Sequence, residues 1–125
     1  MNNIYRPGTL ICANYKTFDG KMQPGVFLVL YDEALDSHHQ FKENITALKC
    51  TTSSSIIGNY TVSLMDGNNS FLERDTIVAC SKVHTLDKRQ IFRELGVIAP
   101  VTYKSVYKVY KKFTNEVERE MGDYL

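Results

Sequence analysis

The sequence predicts a small antiparallel β-barrel, or a strongly bent sheet, followed by a long C-terminal helix. Short β-prone segments follow one another between residues 8 and 83, and the links between them are hairpin-sized and rich in Gly and Asn. After residue 84 the apolar spacing changes from that of strands to that of helices. The expected fold class is therefore mainly β, a β-barrel plus α, in a single domain over residues 1–125.

Five strands are predicted from runs of apolar and β-branched residues. Residues 8–15 alternate in polarity, whereas residues 25–31 form the continuous apolar run that is typical of a strand buried on both faces. The other three segments are 44–53, 60–64 and 75–83. We expect these strands to bury the following side chains: Leu10, Cys12, Phe27, Val29, Cys50, Val78 and Cys80.

A short helix is predicted over residues 86–95, directly after the last strand. Thr85 is a candidate N-cap, and Asp87 falls in the first turn, where the helix dipole favours an acidic side chain. Gly96 is a usual residue at which a helix ends.

A long amphipathic helix is predicted over residues 102–121, with Thr102 as its cap. Its apolar positions are three and four residues apart and mostly aromatic: Tyr103, Val106, Tyr107, Tyr110, Phe113, Val117 and Met121. Lysines stand beside this stripe, so a stacking platform for nucleic-acid bases is one interpretation. The favoured interpretation is that the stripe packs on the barrel and the lysines form its solvated edge.

Length, charge and hydropathy exclude several classes of protein. The chain has 125 residues, enough for one core. Its 15 Lys and Arg nearly balance 14 Asp and Glu, so it lacks the global basic field of a non-specific nucleic-acid binder. No segment resembles a signal peptide or a membrane span. We expect a cytoplasmic protein with no membrane partner.

The three cysteines are expected to be reduced and without a metal. Cys12, Cys50 and Cys80 are far apart in the sequence, and each lies in an apolar stretch where a thiol behaves as a small hydrophobe. A site built from all three is the alternative, but they lack the close ligand pairing that zinc sites usually have.

Several short motifs occur in an order that resembles the PemK/MazF family of toxin endoribonucleases. They are "GTLI", "FDG", "PGVFLVL", "ITALKCTT" and "DTIVACSKVHTLDKRQI", followed by the terminal helix, and together they extend over about residues 6–118. The most specific piece is "VHTLDKRQI", where such chains leave their last long strand. The resemblance implies an SH3-like barrel that forms a homodimer and cleaves single-stranded RNA without a metal or other cofactor.

Such cleavage needs a base for the ribose 2′-hydroxyl, an acid for the leaving 5′ oxygen and a donor for the charged phosphorane. The resemblance implies a Thr after the third strand, which corresponds to Thr51 with Thr52 beside it. It also implies an Arg beside the proline of the first loop, but Gln23 precedes Pro24 here. A second subgroup uses Arg and Asp on the last strand, at positions that fall near the uncharged Ala79 and Ser81.

The remaining candidates are suggested by charge and position. Lys21 is the nearest cation to the missing Arg, although it lacks the planar fork of a guanidinium. Lys49 lies on the strand that leads to Thr51, and the alternation of side chains along that strand allows it to face the same cleft. Tyr15 and Lys16 lie beside the first loop, so these three residues are candidate RNA contacts. His84 is a candidate acid or base, although a structural role for it is the favoured interpretation.

Two functional hypotheses remain open. In the first, the chain is a toxin-like endoribonuclease that cleaves single-stranded RNA, with catalytic candidates Thr51, Lys21, Gln23 and His84. In the second, the same fold has lost cleavage and grips RNA or a protein through the same groove. The resemblance implies a small antitoxin protein as a partner, whose disordered acidic tail would occupy this groove.

Overall fold

The structure is a computed structural model that describes residues 4–35, 43–52, 58–64 and 75–124. Its elements are β1 (Thr9–Lys16), β2 (Met22–Asp32), β3 (Asn44–Thr51), β4 (Thr61–Ser63), β5 (Ile77–Asp87), β6 (Ile91–Val97) and α1 (Pro100–Gly122). The strands form one six-stranded sheet in the order β4-β5-β3-β2-β1-β6, and every neighbouring pair is antiparallel. The predicted fold class, mainly β with a C-terminal helix, is confirmed.

Both faces of the sheet are buried, which explains the continuous apolar run in β2. Consecutive side chains of a strand point to opposite faces, and in β2 Leu28 and Val29 are both fully buried in separate clusters. The first cluster also contains Val106 of α1, so the helix covers that face. The second cluster lies on the other face; it includes Leu86 of β5, and Ile91 of β6 packs against it.

Six of the seven side chains that were expected in the core are buried, and Cys12 is the exception. Cys12 lies on the same face of β1 as Leu10 but is only half-buried. Its neighbour across the sheet is the exposed Arg93 of the edge strand β6, and the pairing shifts register directly after it. The prediction for Cys12 was therefore wrong, because the core cluster on this face of β1 includes Leu10 but does not extend to Cys12.

The predicted short helix over residues 86–95 is wrong. The structure places there the end of β5, a single turn of 3₁₀ helix (Lys88–Gln90) and the edge strand β6, which pairs with β1. Thr85 lies within β5 and caps nothing, and Gly96 lies within β6 opposite Leu10.

A helix cap is present at Asp87, but the helix that follows it is a single 3₁₀ turn. The Asp87 carboxylate accepts a hydrogen bond from the Arg89 backbone N–H, and the Gln90 side chain accepts one from the Asp87 backbone N–H, which completes a capping box. Gln90 also donates from Nε2 to the Asn14 carbonyl at 2.8 Å. This contact holds the turn against β1, with which the next residues of the chain pair as a strand.

The long helix is confirmed, with a different start. It begins at Pro100, and Ala99 occupies the cap position without a side-chain hydrogen bond, so Thr102 is not the cap. Only part of the predicted apolar stripe packs on the barrel: Val106 is buried, whereas Tyr107, Val117 and Met121 are exposed. Among the described residues, no helix combines the length and the apolar character that crossing a membrane requires.

Candidate functional site

A bulge in β5 opens a cleft beside β3 and β4. Leu48 of β3 pairs with Val83 of β5, and Cys50 pairs with Val78. The residues of β5 between Val78 and Val83 therefore lie opposite a single residue of β3, Lys49. Such an insertion bends a strand and directs its side chains away from the regular pleat. The resulting cavity has a volume of about 740 Å³.

Four of the eight residues predicted for the site line this cleft: Tyr15, Lys49, Thr51 and His84. The other four, Lys16, Lys21, Gln23 and Thr52, are not among its lining residues. Lys21 lies in the β1–β2 hairpin, where its carbonyl accepts a hydrogen bond from the Thr17 N–H at 2.8 Å. The structure therefore brings Thr51 into the cleft without Lys21, although the two were expected to share it.

Two rings, Tyr15 and His84, line one wall of the cleft, and the buried ring of Phe27 lies in contact with both. The centroids of Tyr15 and His84 are 5.9 Å apart, and Phe27 lies 5.4 Å from Tyr15 and 5.1 Å from His84. All three pairs meet edge to face, the arrangement that the ring quadrupoles favour. Because Phe27 is fully buried, the two outer rings rest on the core and are held in fixed positions.

Lys49 is fixed against this wall. Its ammonium lies 5.4 Å from the centroids of both Tyr15 and Phe27, within the range of a cation–π contact, and donates to the Cys50 carbonyl at 2.7 Å. A β-carbon at Gly25 would stand 2.7 Å from the Tyr15 ring and 3.2 Å from Lys49 Cε. Residue 25 must therefore be a glycine for the tyrosine and the lysine to lie this close to the backbone of β2.

The electrostatics of the cleft keep His84 neutral. Partial burial and the nearby ammonium groups of Lys49 and Lys82 lower the pKa of the His84 imidazole below its ordinary value of 6.5. At neutral pH the ring is therefore a proton acceptor that faces a cavity beside two positive charges. This combination suits a general base that acts on a group next to a phosphate.

The two buried cysteines are poorly suited to act as nucleophiles. Cys50 and Cys80 are buried, and burial raises the pKa of their thiols to about 12 and about 11, so both stay protonated at neutral pH. All three cysteines are free. Within the described ranges of the chain, no group of three His, Cys, Asp or Glu side chains is placed to hold a metal ion.

Lys82 is a cleft residue that was not predicted from the sequence. It lies two positions before His84 on β5 and lines the same cleft. Ala79 and Ser81, near which the resemblance implies the charged positions of a second subgroup, also line the cleft. The spacing of two residues between Lys82 and His84 was the available sequence signal. Lys82 supplies the positive charge that Ala79 and Ser81 lack.

Comparison with known proteins identifies the fold. No protein-family model matches the sequence, and no curated protein does. Among solved structures, MazF from Deinococcus radiodurans has a TM-score of 0.70 at 15% identity, covering 91% of this chain and 99% of that one. A MazE–MazF complex from the same organism gives a TM-score of 0.67 at 14% identity, over 90% and 98% of the two chains.

A third similar structure is an endoribonuclease in complex with its cognate antitoxin from Mycobacterial species. It has a TM-score of 0.60 at 18% identity and covers 84% of this chain and 89% of that one. Since the TM-scores lie between 0.60 and 0.70 over at least 84% of each chain, the chain has the MazF/PemK-like toxin fold.

Proposed function

We propose that the protein is an endoribonuclease that cleaves single-stranded RNA without a metal ion, in the cleft beside the β5 bulge. The observation that carries this proposal is that the His84 imidazole lines the cavity together with Lys49 and Lys82, two lysines that lower its pKa. The likeness of the fold to solved endoribonucleases supports the same reaction class. The requirement for a ribose 2′-hydroxyl makes RNA, not DNA, the substrate.

The reaction needs no group beyond the side chains of the cleft. His84 takes the proton from the 2′-hydroxyl, and the 2′ oxygen then attacks phosphorus as the bond to the 5′ oxygen breaks. The imidazolium returns its proton to the leaving 5′ oxygen, so the products are a 2′,3′-cyclic phosphate and a 5′-hydroxyl. Lys82 and the Thr51 hydroxyl stabilise the charged phosphorane, while Lys49 holds Tyr15 and adds positive potential.

A second candidate function is binding without cleavage. It is favoured by Gln23, which is uncharged and already engaged with the Tyr15 hydroxyl, at the position where the resemblance implies an Arg. In this case the aromatic wall and the lysines grip RNA or a protein, and the phosphorane lacks sufficient stabilisation for turnover. The two functions share the cleft and differ in whether RNA is cleaved there.

The proposed partners are inferred from the charge of the cleft and from the related complexes. The similar structures include a toxin with its antitoxin and MazE–MazF complexes. An acidic antitoxin segment would meet Lys49 and Lys82 in the cleft and exclude RNA from it. We place the protein in the cytoplasm as a homodimer, where its RNA substrate and such a partner would occur together.

The test is cleavage of a long single-stranded RNA by the purified protein in the presence of a chelator. We expect cuts that persist with the chelator, that disappear with His84→Ala, and that leave 2′,3′-cyclic phosphate ends. Thr85→Ala is the matched control, because Thr85 is the exposed neighbour of His84 on the opposite side of β5. Binding of intact RNA without cuts would establish the second function, and cuts that the chelator abolishes would contradict the proposed chemistry.

A further inference from the structure

A groove lined with tyrosines lies outside the cleft, between the end of β2 and the first half of α1. It has a volume of about 430 Å³, and its walls include Tyr31, Tyr103, Tyr107 and Tyr110. Tyr31 is 43% exposed and Tyr107 is 46% exposed, so two of the rings present large apolar surfaces to solvent. The proposed reaction uses none of these residues.

The tyrosines of the helix are ordered by their neighbours. The Tyr103 and Tyr107 rings stack with their centroids 6.2 Å apart and their planes 26° from parallel, and Tyr110 lies 6.1 Å beyond Tyr107. Tyr103 donates its hydroxyl proton to the Leu30 carbonyl at 2.9 Å, which ties the row to β2. The three rings are therefore a preformed row, and its middle member, Tyr107, is the most exposed of them.

Positive charge is concentrated along this row. Four exposed lysines accompany the tyrosines around the helix: Lys104, Lys108, Lys111 and Lys112. Residues 100–115 contain no Asp or Glu, and the acidic residues of α1 begin at Glu116. Because Lys and Arg exceed Asp and Glu by only one in the whole chain, this is a local concentration of charge and not a general property of the surface.

We propose that this groove and its lysines bind single-stranded RNA, with a base against Tyr31 and Tyr107 and phosphates at the lysines. Aromatic rings next to lysines are the pattern by which proteins hold single strands without sequence preference. A wholly apolar partner would leave the lysine charges unpaired, and an acidic peptide would satisfy the charges but not the flat open rings. RNA satisfies both features. The inference stands on this surface alone and does not require that the cleft cleaves RNA.

The test measures binding of a fluorescent single-stranded 2′-O-methyl RNA, which lacks the hydroxyl that cleavage needs, so binding is measured whether or not the protein is a nuclease. We expect Tyr107→Ala to weaken binding by about 5- to 150-fold, the usual contribution of one stacked base. Replacing Lys104, Lys108 and Lys111 together by Gln should reduce the slope of log affinity against log salt by about 2. The matched controls are Val117→Ala and Arg119→Gln, exposed positions further along α1, which should bind as the native protein does.

Three results would overturn the inference. The first is that Tyr107→Ala and the triple lysine variant bind the RNA as tightly as the native chain, with the same salt dependence. The second is that these variants change the oligomeric state measured by sedimentation while RNA affinity is unchanged, which would assign the groove to contact with a second copy of the chain. The third is that a polyglutamate peptide of the same charge displaces the RNA as well as unlabelled RNA does.

Discussion

Gln23 donates a hydrogen bond from Nε2 to the Tyr15 hydroxyl oxygen, with 2.7 Å between the two atoms. The two residues face each other across the β1–β2 hairpin, and Tyr15 in turn lines the cleft beside His84. The side chain at position 23 is therefore one contact away from the proposed reaction site. An amide at this position orients the tyrosine but brings no charge.

Replacing this amide by a guanidinium should strengthen catalysis. We expect Gln23→Arg to increase kcat/KM for RNA cleavage by about tenfold or more, because an Arg can hold two phosphate oxygens at once and a single transition-state donor contributes about 100- to 1,000-fold in other enzymes. The measurement is the rate of cleavage of a short labelled RNA under single-turnover conditions. Gln23→Met is the matched control for size without charge, and an equal gain with Met would refute an electrostatic role for residue 23.

The pH dependence of cleavage should report the depressed pKa of His84. As a general base His84 must be neutral, so kcat/KM should rise with pH through an inflection below 6.5, the ordinary pKa of the ring. Lys82→Met removes a positive charge that disfavours the imidazolium and should move this inflection to higher pH. An inflection that stays in place in Lys82→Met would show that the lysine does not act on His84.

The same shift has a consequence for stability. Because the pKa of His84 is lower in the folded than in the unfolded chain, the unfolded chain binds the proton more readily. The free energy of unfolding should therefore be highest above pH 6.5 and fall as the pH drops through 6.5 towards the folded pKa. His84→Gln should make the urea midpoint less dependent on pH in this range, and an unchanged slope would contradict the assigned shift.

The fold was more predictable from the sequence than the site. Local patterns of apolar residues located β1 to β5 and the long helix, because burial on one or both faces leaves a direct trace in the residue order. The error over residues 86–95 arose because the capping box at Asp87 is genuine, while pairing with β1 makes the residues after it a strand. The cleft depends on the β5 bulge, a relation between two strands that no local pattern contains, so the spacing of Lys82 and His84 alone could not assign Lys82 to a cleft.

Thiol reactivity should separate the three cysteines. Cys50 and Cys80 are buried with raised pKa values of about 12 and about 11, whereas Cys12 is half-buried. At pH 8 we expect one thiol of the native chain, that of Cys12, to react rapidly with a disulfide reagent, and all three to react in denaturant. Cys12→Ser should abolish the rapid phase. Rapid reaction of two or more thiols in the folded protein would contradict the burial of the other two.

A buried ion pair joins three segments of the chain. Lys88 Nζ lies 2.8 Å from Asp32 Oδ2, and both side chains are almost completely buried. The Asp32 carboxylate also accepts hydrogen bonds from the backbone N–H groups of Tyr5 and Ala34, and the Lys88 N–H donates to the Glu43 carbonyl. The pair thus holds the N-terminal segment, the end of β2 and the 3₁₀ turn at one point.

Removal of either charge leaves the other buried without its partner, which typically costs about 3–5 kcal/mol. We expect Asp32→Asn and Lys88→Met each to lower the free energy of unfolding by about this amount in a urea titration. The double variant should be destabilised by less than the sum of the two, because no unpaired charge remains buried. Strictly additive losses of unfolding free energy would show that the two side chains do not interact. Asp32 would then stabilise the fold only by accepting hydrogen bonds from backbone N–H groups.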